Sequence, residues 1–109
     1  MGAGTFIGAG AIATTNIRIG KHVTINRGAQ VSHDCVIGDF TTLSPGSLLG
    51  GSVTLEALVF IGIGASLREK VTVGEGSFVG GGSFVHRTVP PGATVAGVPA
   101  RLVDSPFTR

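Results

Sequence analysis

From Ile7 to Val85 every sixth residue is Ile, Leu or Val, with a single Ala. The series runs Ile7, Ala13, Ile19, Ile25, Val31, Ile37, Leu43, Leu49, Leu55, Ile61, Leu67, Val73, Val79, Val85, and it never slips phase. Four residues after each stands a second small or β-branched residue, as in Val23, Ala29, Cys35, Thr41, Ser47 and Val53. A helix repeats at 3.6 and a strand at 2. A strict six fits neither. It fits a short strand and a turn, coiled repeatedly about one axis, which is the hexapeptide pattern of a parallel β-helix.

Gly10, Gly28, Gly46, Gly64 and Gly82 add a second period of eighteen, each followed by a tiny Ala or Ser. Three hexads therefore make one coil of triangular cross-section. The glycines predict that one side has a turn chemistry of its own, with positive φ or close backbone approach. The fourteen hexads give between four and five coils. At the usual strand spacing the prism is roughly 20 Å tall. No loop interrupts it, so any site must lie on its faces, on its corners or in a groove between prisms.

The expected organisation is a lead-in over 1–6, the repeat over 7–89, and a terminal turn, last short strand and tail over 90–109. The first hexads are imperfect: Ala13 is undersized, and Thr14, Thr15 and Asn16 are polar. An uncovered terminal coil exposes a row of backbone groups. The expectation is that a partner covers this end, or that the chain is the C-terminal part of something longer. The period breaks at His86–Gly92, where Pro90 and Pro91 cannot both serve a central ladder. Ala93–Ala96 reads as a last strand, and Arg101–Arg109 as a tail too short for a helix of its own.

A core only one or two side chains across is thin for 109 residues, which argues for oligomerisation. A net charge of +2 with 13% charged residues gives no case for nucleic acid or an anionic membrane. No apolar run approaches the length of a membrane span, and no signal segment is visible, so a cytoplasmic location is expected. Cys35 is a single cysteine in the small-residue column and reads as core filler.

His33 and Asp34 occupy the third and fourth places of their hexad, outside the inward places of Val31 and Cys35. Counting by eighteen sets Thr15, Gly51 and Glu69 in register with His33, and Asn16, Ser52 and Lys70 with Asp34. Gly51 thus leaves open space beside the imidazole. A neutral imidazole is a natural general base near neutral pH, and a carboxylate can fix its tautomer. An exposed His beside an Asp is also an ordinary surface pair. His22 is in register with Phe40 and Leu58 and reads as cover for an apolar column, whereas His86 lies at the break beside Arg87. The three histidines do not obviously converge, so no metal is expected.

The segments Phe60–Ala65 and Val79–Ser83 are glycine-rich and one coil apart on the same side. Neither is a dinucleotide or phosphate-loop fingerprint. Gly62, Gly64, Gly80 and Gly81 would expose main chain to an extended amide-bearing ligand, or merely serve the turns. Arg87 and Arg101 flank the terminal turns and suit phosphate.

These residues carry a family signature. The ladder resembles the left-handed β-helix of the hexapeptide-repeat acyltransferases. The run Ile25–Phe40 around His33-Asp34-Cys35 is similar to the active-site segment of the bacterial sugar acetyltransferases. Those include the sialic acid O-acetyltransferases and the N-acetyltransferases acting on UDP-linked 4-amino-sugars. Ser44-Pro45-Gly46, Gly62-Ile63-Gly64-Ala65, Val89-Pro90-Pro91-Gly92 and Gly97-Val98-Pro99-Ala100-Arg101 also match.

The resemblance implies an all-β left-handed parallel β-helix that moves an acetyl group from acetyl-CoA to an amine or hydroxyl of a sugar or small acceptor. His33 would be the general base and Asp34 its orienting partner. The pantetheine arm would lie between adjacent prisms of a homotrimer, against Gly62 and Gly80, with Arg101 near the CoA phosphates. Two departures stand out. Many relatives carry a second histidine near the thioester, nine residues after the base; here that position is Thr42, which can donate a hydrogen bond but not share proton transfer. Their usual N-terminal sugar-binding domain has no counterpart in this sequence. A zinc-dependent γ-type carbonic anhydrase and a non-catalytic CoA-binding or structural prism are the alternatives.

Overall fold

The computed structural model describes residues 1–103. Its strands are, in chain order, β1 (Phe6–Ile7), β2 (Ile12–Ala13), β3 (Arg18–Ile19), β4 (Thr24–Ile25), β5 (Gln30–Val31), β6 (Val36–Ile37), β7 (Thr42–Leu43) and β8 (Leu48–Leu49). They continue with β9 (Thr54–Leu55), β10 (Phe60–Ile61), β11 (Ser66–Leu67), β12 (Thr72–Val73), β13 (Phe78–Val79), β14 (Phe84–Val85), β15 (Thr94–Ala96) and β16 (Arg101–Leu102).

Three faces form as the six-residue period requires. The first carries β1-β4-β7-β10-β13-β15-β16, the second β2-β5-β8-β11-β14, and the third β3-β6-β9-β12. Pairing is parallel with a step of eighteen, as in Thr42↔Phe60 and Ile37↔Leu55. In each inner strand the second residue points inward. Ile25, Ile37, Leu43, Leu49, Leu55 and Ile61 are buried, joined by the second column of Val23, Ala29, Cys35, Val53, Val59 and Ala65. One row of aliphatic groups per face meets at the axis, so the core is as thin as the sequence suggests.

The corners differ from the sequence expectation in one respect. Gly10, Gly28, Gly46, Gly64 and Gly82 do take positive φ, between 66° and 72°. So do Asn16, Asp34, Ser52 and Lys70 at the second corner, and His22, Phe40 and Leu58 at the third. All three corners therefore use the same left-handed turn. The glycine column is not a separate turn type; it is the corner that left-handed backbone leaves bare. For an L-residue that conformation costs roughly 1–2 kcal/mol; at the other two corners Asn16 and Asp34 contact one another there, as do His22 and Phe40.

At the N-terminal end the lead-in already stacks on the next coil. Gly2 N donates to Ile19 O at 3.0 Å, and Thr5 Oγ1 to Gly20 O at 2.8 Å. Phe6, Ile7 and Ile12 remain exposed there.

At the other end the break has a definite size. Val73 bridges Val89, and Phe78 pairs with Thr94, so the step falls from eighteen to sixteen. Val89 follows Val85 by four positions, where the ladder elsewhere steps by six. The prolines lie at the following corner, where Pro90 O accepts from Ala93 N and from Ser77 Oγ. The tail is not irregular from its first residue: β16 turns back antiparallel on β15 and pairs Ala96 with Arg101. The remainder of the expected tail, with Pro106, lies outside the described residues.

Candidate active site

The corner between the second and third faces carries the titratable pair. His33 and Asp34 project outward because Val31 and Cys35 take the inward places. Their side chains are 62% and 48% exposed, and His33 Nδ1 lies 2.9 Å from Asp34 Oδ2. An ionised carboxylate only accepts, so Nδ1 donates. In the neutral ring Nε2 then holds its lone pair free to take a proton. The other carboxylate oxygen, Asp34 Oδ1, accepts from Asn16 Nδ2 one coil earlier. The Asn16 amide first, and His33 second, hold the Asp34 carboxyl below the usual carboxylate range.

The ring rests over Gly51. A Cβ on Gly51 would lie 2.6 Å from both Cε1 and Nε2 of His33. The space inferred from register is therefore filled by the imidazole itself. Gly51 acts as the floor under the ring rather than as an opening for a ligand. Cys35 is fully buried beneath the pair, where burial pushes its thiol pKa up and Sγ contacts Gly50 O at 3.3 Å.

The other candidate residues lie elsewhere on the prism. Gly62, Gly64, Gly80 and Gly81 share the bare corner between the first and second faces. Close stacking explains Gly62, where a Cβ would stand 2.5 Å from Gly81 N. At Gly64 and Gly82 a Cβ would meet nothing within 4 Å, so there φ alone favours glycine. Thr42 lies on the first face, in a shallow apolar depression of about 510 Å³ lined also by Phe40, Leu58, Phe60 and Phe78. Within one chain neither Thr42 nor the glycine corner meets His33.

Arg87 occupies the corner of His33, three coils on. Arg87 and Arg101 both line a cleft of about 370 Å³ beside the shortened coil, walled by Val85, Val89, Val95 and Pro99. His86 lines the same cleft. Its Nε2 accepts from Arg87 Nε at 3.2 Å, while its buried Nδ1 has no partner among the described residues. His22 stacks on Phe40 at 5.2 Å, as its register implies. It stands on a different corner from His33 and His86, and among the described residues no three His, Cys, Asp or Glu side chains converge.

Sequence reasoning missed two features. Asn16 was in register with Asp34, but its amide contact was not foreseen. Phe60 and Phe78, eighteen apart, stack outward at 4.9 Å and form the floor of the apolar depression. The same count by eighteen, applied to the residue before each inward one, could have found them.

Residues 16–51 match the family described as bacterial transferase hexapeptide (six repeats). GDP-perosamine N-acetyltransferase of Escherichia coli O157:H7 is 40% identical over 108 residues, covering 89% of this chain and 49% of that protein. WeeI from Acinetobacter baumannii AYE superposes with a TM-score of 0.91 at 38% identity, covering 94% of this chain and 50% of the other. The acetyltransferase domain of PglB from Neisseria gonorrhoeae FA1090, in complex with acetyl coenzyme A, gives 0.77 at 34% identity, over 92% and 52%. The chain spans about half the length of these relatives. Repeat, coil geometry and relatives agree: the chain belongs to the bacterial hexapeptide-repeat transferase family.

Proposed function

We propose that this chain transfers an acetyl group from acetyl-CoA to an amine or hydroxyl of a sugar or other small acceptor, with His33 as general base. The observation that carries the reading is the His33–Asp34 contact, with Nε2 left to accept a proton. Nε2 takes the proton from the acceptor as its nitrogen or oxygen attacks the thioester carbonyl. The tetrahedral intermediate collapses, the C–S bond breaks, and the thiolate of CoA leaves with a proton returned from the imidazolium. Asp34 keeps the base in one tautomer and stabilises its charge. No covalent enzyme intermediate is needed.

Acetyl-CoA as donor is supported by the acetyl coenzyme A complex of the PglB domain, and an amino-sugar acceptor by the perosamine enzyme. The wide separation of His33 from the bare corner of Gly62, Gly64, Gly80 and Gly81 favours a homotrimer. There, one prism supplies the base and its neighbour the backbone groove for pantetheine. Arg87 and Arg101, which share one cleft, are assigned to the CoA phosphates, and Thr42 to a hydrogen bond near the thioester. Such a transferase is expected in the cytoplasm, where acetyl-CoA is made.

The test is His33→Ala, assayed for thiol release with acetyl-CoA and a panel of 4-amino-sugar nucleotides. Turnover is expected to fall about 10²–10⁴-fold, with CoA affinity by calorimetry unchanged. Undiminished turnover in the variant overturns the base assignment. Failure of the unsubstituted protein to bind CoA overturns the reading as a whole.

A further inference from the structure

We propose that Asn16 is a positioning residue for the His33–Asp34 pair, holding Asp34 Oδ1 from one coil earlier so that Oδ2 faces the imidazole. This rests on the reading of His33 as general base.

An exposed aspartate is a poor orienting group by itself. It has two rotatable side-chain bonds, and water competes for both oxygens. Here the two oxygens have separate donors: Asn16 Nδ2 for Oδ1 and His33 Nδ1 for Oδ2. The amide nitrogen can only donate and Asp34 can only accept, so this contact reads one way. With Oδ1 held, rotation of the carboxylate about its last bond is blocked, and Oδ2 stays on the imidazole.

The backbone fixes the spacing. Asn16 and Asp34 both sit in the left-handed region, at φ 56° and 60°, at the same place in successive coils. Asp34 N donates to Thr15 O at 3.1 Å, so the two side chains leave parallel main chain one strand spacing apart. Asn and Asp are the non-glycine residues that best tolerate this φ. The next residues in the column are Ser52 and then Lys70, and neither hydrogen-bonds Asp34. The hydrogen bond from the Asn16 amide does most to lower the Asp34 titration, and the one from His33 comes second. The pair is thus a triad in which the third member arrives from eighteen residues away.

The variant to make is Asn16→Gly, because alanine would add strain at positive φ whereas glycine removes only the amide. The titration of the Asp34 carboxyl is followed by carbon NMR and the tautomer of His33 by nitrogen NMR, alongside kcat and KM. Three changes are expected: Asp34 titrates at higher pH than in the parent, the His33 tautomers become mixed, and kcat falls about tenfold. KM for acetyl-CoA and the thermal midpoint stay where they were. A second variant, Asn16→Asp, keeps size and tolerance of φ but sets carboxylate against carboxylate. It is expected to raise the Asp34 titration further and to lower kcat below that of the glycine variant.

An Asp34 titration and His33 tautomer identical to the parent in Asn16→Gly overturn the proposal. So does parental turnover in Asn16→Gly beside an inactive His33→Ala. Undiminished turnover in His33→Ala instead overturns the base assignment, and the NMR readings identify which of the two has failed.

Discussion

At Gly51 a single hydrogen atom decides where the imidazole lies. Its φ is not in the left-handed region, so backbone freedom is not the reason for glycine. The reason is the ring above it. Gly51→Ala would set a methyl group 2.6 Å from Cε1 and Nε2 of His33, and the flexible ring, not the backbone, would yield. The variant is expected to fold normally and to lose about 10- to 100-fold in kcat, because a displacement near 1 Å at a reacting atom is that costly. Circular dichroism together with steady-state kinetics checks this; a parental kcat would show that the ring need not rest where it does. His33 and Asp34 were legible as chain neighbours outside the inward places, and the adjacency of Gly51 to His33 because vertical neighbours follow from a count of eighteen; that the ring fills the space over Gly51 was not. The amide contact of Asn16 was not, since register gives adjacency but not which polar atoms meet.

At the scale of the two-residue strand, each element is too short to be stable alone. It persists because its inward residue packs between the coils above and below. Ile61 is fully buried on β10, between β7 and β13, whereas Ile7 on β1 is 41% exposed and has a neighbour on one side only. Ile61→Ala is therefore expected to cost about 2–5 kcal/mol, and Ile7→Ala considerably less, as urea denaturation can measure. Equal costs would mean that the coils are not stacked as described. Strand phase was readable because burial imposes it at every sixth position. The turns were read less well. A glycine column signals positive φ, but Asn16, His22, Phe40 and Leu58 adopt the same backbone without announcing it. The apolar depression around Phe60 and Phe78 was open to the same count by eighteen, because the two rings are vertical neighbours, but outward residues follow no burial pattern that draws attention to them.

For the whole molecule the controlling quantity is the stride. Removal of eighteen residues, 53–70, joins Ser52 to Val71 and leaves every later side chain on its own face and corner. Removal of seventeen, 53–69, turns each later inward residue outward. The first is expected to unfold in one cooperative transition at a lower midpoint, the second to lose native strand structure; calorimetry distinguishes them. The break at His86–Gly92 was visible in the sequence, but its size was not. A loss of two residues shows only once Val73 is seen bridging Val89. Arg87 and Arg101 line one cleft beside that shortened coil.

The eighteen-residue register has one more consequence. The prism is in effect a one-dimensional crystal whose unit cell is one coil. In such a lattice a point defect is felt by the cells on either side and fades beyond them. Sensitivity to substitution around the site should therefore run vertically and not along the chain, through 16 and 34 in one row and 33 and 51 in the next. Positions that never meet a substrate would then be set by those that do, one lattice spacing away.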